Sequence, residues 1–257
     1  MTEKFTVSSK DPSLIQSVSR AVAILRCFAD TQEVGLTDLA RQTNLHKSTV
    51  AGIVNTLKYE GILESDGNNG SLHLGTELVR ISANAKRDLK EIAKPFMKDL
   101  LMQTGETISL AARNGTNIVF LEQVESPHSL KFSTRLGGCY PFYCTGMGKA
   151  IFSCLPMEEA EKAYYSSKPV TLTKNTCKTF DELRDKLIQA KANGYAIDNC
   201  EWEADLRAVA APILNKSGYP VAALSVSGPS SRVSEAKIAE FTPFVKRTAQ
   251  MISEALQ

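Results

Sequence analysis

The sequence predicts an α+β protein in two parts. A winged helix-turn-helix occupies residues 14–75, and a larger domain of antiparallel sheet with helices against it occupies 88–257. A helical linker over 76–87 joins them. Three observations predict this. Helix, helix-turn-helix and hairpin follow one another in the first ninety residues. Beyond residue 106 the apolar period shifts from helical spacing towards the two-residue alternation of strands. A chain of 257 residues is also long for a single core.

The first helix is expected over residues 17–29, where Val18, Ala21, Val22, Leu25 and Phe28 recur at three- and four-residue spacing. A polar break over 30–35 follows. Leu36, Leu39 and Ala40 then mark the inner side of a second helix, and Ala40 is small where a neighbour must cross closely. Asn44 falls where the turn needs a positive φ, which Asn and Gly tolerate best. A third helix places Val50, Ile53, Val54 and Leu57 inward. Its other side carries Lys47, Ser48, Thr49, Ala51, Gly52, Asn55 and Lys58. That small, polar face suits a helix lying in a DNA major groove with its N-terminal residues at the base edges. Gly61 stops the helix. Residues 62–65 and 71–74, around the turn Asp66-Gly67-Asn68-Asn69-Gly70, form a hairpin that serves as the wing. Arg20 on the first helix and Thr37 at the start of the second complete the candidate DNA contacts with Lys47, Ser48, Thr49, Asn55 and Lys58. The helical linker packs either between two subunits or on its own domain; its sequence suits both.

In the larger domain, Asp88 and Glu91 are expected to cap a helix that Pro95 kinks or breaks. Strands follow at 107–112 and 117–124, joined through Asn114-Gly115, with a third at 130–135. A short helix over 145–154 ends before Pro156. Another over 180–193 opens on a Thr179/Glu182 capping box and stops at Gly194. Strands are expected at 196–197, 208–214 and 219–227, and a closing helix at 234–256.

Composition is that of an ordinary globular protein: 43% hydrophobic, 23% charged, net charge +2. The charge alone does not point to nucleic acid. No apolar run approaches the ~20 residues needed to cross a bilayer, and residues 1–11 have no signal-peptide core. A cytoplasmic protein with no membrane partner is expected. The six cysteines form no Cys-x-x-Cys pair and the three histidines are scattered, so neither a metal site nor a cofactor is expected. Gly146 and Gly148 lack the P-loop spacing, because Ala150 follows Lys149.

Ile15-Gln16-Ser17-Val18, Leu45-His46-Lys47-Ser48-Thr49-Val50 and Glu60-Gly61 resemble the DNA-binding domain of the IclR family of bacterial regulators. In the second half Thr104 to Leu110, Thr145-Gly146-Met147-Gly148-Lys149-Ala150, Gly194 to Asp198, Val209 to Pro212 and Ala222 to Pro229 resemble the same family's sensor domain. The resemblance runs from about Leu14 onward. It implies a GAF-like effector-binding domain, an operator DNA partner, a homodimer or homotetramer, and a repressor rather than an activator. Three departures stand out. Ala51-Gly52 replaces a common His-Arg pair, the wing from Ser65 to His73 has no Arg or Lys, and Asp205 stands where Gly is frequent.

Two features predict where a small organic acid binds. Ser225 and Ser227, two apart on a strand, share a face opposite Leu224 and Val226; the helix-covered core belongs on the latter side. Thr145-Gly146-Met147-Gly148 opens a helix whose free N–H groups suit a carboxylate, with glycines that let a ligand approach; an ordinary N-cap with glycines for close packing is the alternative. The resemblance adds Phe132, Tyr140, Asp198 and Ala208 to Gly146, Met147, Ser225 and Ser227; Trp202 lies nearby in sequence. No catalytic set is evident. A redox sensor built on the cysteines, a cysteine hydrolase and a scaffold without DNA binding are the alternatives. The only histidine of the larger domain, His128, has no motif linking it to a thiol.

Overall fold

The computed structural model describes residues 14–29, 31–65, 70–82 and 87–256. The chain divides into two compact units after Ala85.

In the first unit, α1 (Gln16–Arg26), α2 (Leu36–Thr43) and α3 (Lys47–Tyr59) enclose a core of Ile24, Phe28, Leu39, Val50, Val54, Leu63 and Leu72. Asn44 adopts the left-handed conformation the turn demands, at φ 56° and ψ 37°. The hairpin strands β2 (Leu63–Ser65) and β3 (Ser71–Leu74) pair antiparallel. The stretch expected as a polar break contributes a short strand, β1 (Val34–Gly35), on the far side of β3. Val34 is buried in the core, which draws this stretch into the sheet. Of the expected wing turn, residues 66–69 lie outside the described residues.

The expected linker helix is described as α4 (Thr76–Ser82). Its first turn is held to the hairpin, because the Thr76 N–H donates to Glu64 Oε1 at 3.0 Å and the Gly75 N–H to the Ile62 carbonyl at 2.8 Å. No residue of α4 is buried.

The second unit is a six-stranded antiparallel sheet in the order β6-β5-β4-β9-β8-β7. Its strands are β4 (Thr107–Asn114), β5 (Asn117–Val124), β6 (Cys139–Pro141), β7 (Ala196–Asn199), β8 (Leu206–Leu214) and β9 (Pro220–Pro229). On one face α5 (Arg87–Thr104) and α9 (Glu235–Ala255) bury Leu110, Val209, Leu224 and Val226. On the other, α6 (Gly146–Ser153), α7 (Met157–Ser166) and α8 (Phe180–Asn193) pack with Ala111, Phe120, Ala210 and Ala223. Both faces are therefore helix-covered, not only the one carrying Leu224 and Val226. No helix of the described residues is long and apolar enough to cross a membrane.

Several expectations are corrected. Residues 130–135 form no strand. Side chains rather than a neighbouring strand hold this loop: the Thr107 hydroxyl donates to the Phe132 carbonyl at 2.9 Å and Arg232 to the Leu130 carbonyl at 2.9 Å. The edge strand comes later, at β6. Helix α7 is an element the sequence reading did not assign. Asp88 lies within α5 rather than capping it, and α5 runs through Pro95 unbroken. The Thr179 hydroxyl does accept the Glu182 N–H at 3.3 Å, but the Glu182 carboxylate accepts from Lys178, one residue earlier than a capping box requires.

Candidate functional site

The second unit contains a small cavity of ≈ 30 Å³ between the sheet and the start of α6. Phe132, Tyr140, Gly146, Met147, Asp198, Ala208, Ser225 and Ser227 all line it. The eight positions singled out from the sequence thus converge on one place. Register explains the convergence. Ala208 stands opposite both Asp198 and Ser227, and Ser225 opposite Ala210, so neighbouring strands present these residues side by side. The sequence reading missed Phe120, Thr145 and Leu206 as lining residues and named Trp202 only as a neighbour. Alternation along β5 and the N-cap position of Thr145 were signals for two of them. Leu206, two before Ala208 on β8, was signalled by the same alternation; Trp202 was not readable, because the loop after β7 sets its direction.

One wall is aromatic. Tyr140 stands edge-on to Phe120 and to Trp202, each at 5.0 Å between ring centroids, and shares a hydrogen bond with the Thr134 hydroxyl. The opposite side is polar. Ser225 and Ser227 are each 2% exposed, and Ser227 donates weakly to the Thr107 carbonyl at 3.4 Å. The Thr145 hydroxyl caps α6 by accepting the Gly148 N–H at 3.2 Å. This leaves the first-turn N–H groups of Gly146 and Met147 without intrahelical acceptors.

Gly148 serves close packing, whereas Gly146 lines the cavity. A Cβ on Gly148 would fall 2.4 Å from both Cα and O of Phe142, and one on Gly146 would meet the Asp198 N at 3.3 Å.

Asp198 is both a cap and a wall. Its Oδ1 accepts the N–H groups of Glu201 at 2.8 Å and Trp202 at 3.4 Å. Burial pushes its carboxyl up to about 7, although Lys149 and the two N–H groups pull the other way. Behind it lies an ion pair that the sequence reading did not anticipate. Lys149 and Glu201, 1% and 2% exposed, are bonded to each other, and Lys186 reaches Glu201 Oε2 at 3.1 Å. Lys149 is thus tied to the wall behind the cavity.

In the first unit, Lys47, Ser48 and Asn55 are exposed on α3, while Thr49 is half-buried. Lys58 is exposed but tied to the wing, donating to Ser65 Oγ at 2.6 Å. Thr37 is exposed at the start of α2. Arg20 is half-buried on α1, and its Nε has no hydrogen-bond partner among the described residues. Tyr59 is 88% exposed on the outward face of α3.

Burial pushes the thiols of Cys27, Cys144, Cys154 and Cys177 up, away from the thiolate that nucleophilic or redox chemistry uses.

Known proteins agree with this arrangement. The model of the bacterial transcriptional regulator IclR C-terminal domain matches residues 81–254, and that of the IclR helix-turn-helix domain matches 17–67. The chain is 30% identical over 246 residues to the HTH-type transcriptional regulator KdgR of Escherichia coli, covering 95% of this chain and 94% of that one. It is 28% identical to the transcriptional repressor IclR of the same organism, covering 94% and 90%. Among solved structures, Thermotoga maritima IclR superposes with a TM-score of 0.65 at 29% identity, covering 93% and 98%. An IclR homolog from Microbacterium hydrocarbonoxydans, complexed with 4-hydroxybenzoate, superposes at 0.79 with 25% identity, again covering 93% and 98%. The chain belongs to the IclR family of DNA-binding transcriptional regulators, which carry a ligand-binding C-terminal domain.

Proposed function

We propose that this regulator is a repressor whose grip on operator DNA is set by a small organic acid bound in the cavity of the second unit. The convergence of Gly146, Met147, Asp198, Ala208, Ser225 and Ser227 on one buried cavity carries the reading. The acid's carboxylate sits at the N–H groups of Gly146 and Met147, where the α6 dipole favours negative charge. Asp198, protonated below about pH 7, donates a hydrogen bond to it rather than repelling it. The serines take the acid's hydroxyl or keto oxygens, and Phe120, Tyr140 and Trp202 hold its apolar body. The 4-hydroxybenzoate bound to a relative supports this class of ligand. At ≈ 30 Å³ the cavity is smaller than such an acid, so side chains must move aside for it to enter. That displacement gives the two sensor states the differential affinity that ligand control requires.

The protein acts in the cytoplasm as a homodimer or a dimer of dimers. Arg20, Thr37, Lys47, Ser48, Thr49, Asn55 and Lys58 supply the DNA contacts, and residues 76–87 carry the response between the domain of 14–75 and that of 88–257. The test is a fluorescence-anisotropy titration of a duplex that the full-length protein selects from a random pool, with and without a panel of small carboxylic acids. Replacing Ser225 and Ser227 by Ala should abolish the acid response and leave DNA affinity within about twofold, since both serines belong to the second unit and α3 to the first. A normal acid response in that double variant removes the cavity from the mechanism.

A further inference from the structure

Glycine in the middle of a helix is destabilising, because it loses more backbone freedom on folding than any other residue. It persists where the backbone needs a positive φ or where a side chain would not fit. Among the described glycines, seven have positive φ, and Gly75, Gly138, Gly146, Gly148 and Gly228 each have an atom within 3.4 Å of the place a Cβ would take. Gly35, where the nearest atom is at an ordinary 3.8 Å, lies outside the helices, so Gly52 is the described helical glycine that meets neither condition. Gly52 has neither: its φ is ordinary and nothing lies within 4 Å. It sits sixth in the thirteen-residue α3, exposed, on the face turned away from Val50 and Val54. Ser48 lies one turn before it and Asn55 nearly one turn after, both exposed on that same face. The chain itself supplies no reason for a glycine here.

We infer that Gly52 is a positioning and specificity-determining residue of the DNA interface, where its bare Cα makes direct contact with the C5-methyl of a thymine in the major groove. The inference rests on α3 being the DNA-reading helix. An apolar partner is indicated because Gly52 presents only C–H groups outward. Its carbonyl already accepts the Thr56 hydroxyl at 3.1 Å. The thymine methyl is the apolar group a major groove offers. With the helix seated this closely, Ser48 and Asn55 reach base edges on either side despite their short side chains.

The test uses the full-length protein and the duplex it selects from a random pool. Wild type should lose several-fold in affinity when one particular thymine per half-site is replaced by deoxyuridine, which lacks the methyl. Gly52→Ala should bind the thymine duplex about tenfold more weakly. It should recover part of that loss on the deoxyuridine duplex, because removing the methyl makes room for the new Cβ. Its thermal midpoint should rise, as expected for an exposed helical glycine replaced by alanine. Unchanged affinity in Gly52→Ala overturns the inference, as does a loss that is the same on every deoxyuridine duplex. A lowered midpoint overturns the premise that nothing internal requires the glycine. A change in oligomeric state without a change in DNA affinity assigns the bare face to a second protein copy and overturns it too. If wild type selects no duplex at all, the DNA-reading role of α3 itself falls, an outcome distinct from all of these.

Discussion

Asp198 shows how a single residue joins the two halves of the sensor site. Its buried carboxyl organises the loop carrying Glu201 and Trp202 and lines the cavity. Desolvation, the largest influence on it, raises its pKa to about 7, against roughly 3.9 in an unfolded chain. Between those values the folded protein holds a proton that the unfolded chain has released. The resulting stability is fully present below about pH 4 and is lost as the pH climbs through 7. Asp198→Asn cannot ionise, yet its side-chain oxygen still accepts both N–H groups. The thermal midpoint of Asp198→Asn relative to the parent protein should therefore rise from pH 5 to pH 8, while Lys149, Glu201 and Lys186 cancel in the comparison. The same difference at both values would mean that Asp198 ionises normally in the fold.

At the scale of elements, two helices carry a glycine with opposite meaning. Gly148 in α6 lies against the backbone of the 3-10 turn Phe142–Cys144, whereas Gly52 in α3 faces open space. Backbone cannot rotate aside as a side chain can. Gly148→Ala should therefore lower stability by about 3 kcal/mol, the upper end of overpacking effects, and denaturant unfolding of the intact protein would measure it. A cost below about 1 kcal/mol would show that α6 shifts freely against the turn. Such freedom would undercut α6 as a rigid floor for the cavity. The same comparison explains what the sequence made legible. Asn44, the Thr179 cap and the Gly194 stop each act within one turn of chain, and each was readable. The loop of residues 130–135 was not, since Thr107 and Arg232, two of the side chains that hold it, come from distant segments.

At the scale of the whole molecule, each unit has its own core, so DNA contact and ligand contact reside in separately folded bodies. The net charge of +2 is small, yet Lys47, Lys58 and Arg20 are gathered on one domain. Operator affinity should fall steeply and log-linearly with salt, because phosphate contacts release condensed counterions. Saturation should occur at two or four protomers per operator, as two-fold protein symmetry on a two-fold site requires. Anisotropy across a salt series, with sedimentation of the complex, measures both. A single protomer per site would exclude the symmetric arrangement.

The sequence by itself determined the two-domain order, the helix-turn-helix with its left-handed Asn44, and the strand pair that places Ser225 and Ser227 on one face. These depend on periodicity and on turn chemistry, both local. Only the tertiary structure decided that both faces of the sheet are covered, that Lys149 is buried against Glu201, and that Trp202 closes the cavity beside Tyr140. Each of these joins segments far apart in the chain. Desolvation and packing there depend on what the rest of the fold brings alongside, which no local pattern encodes.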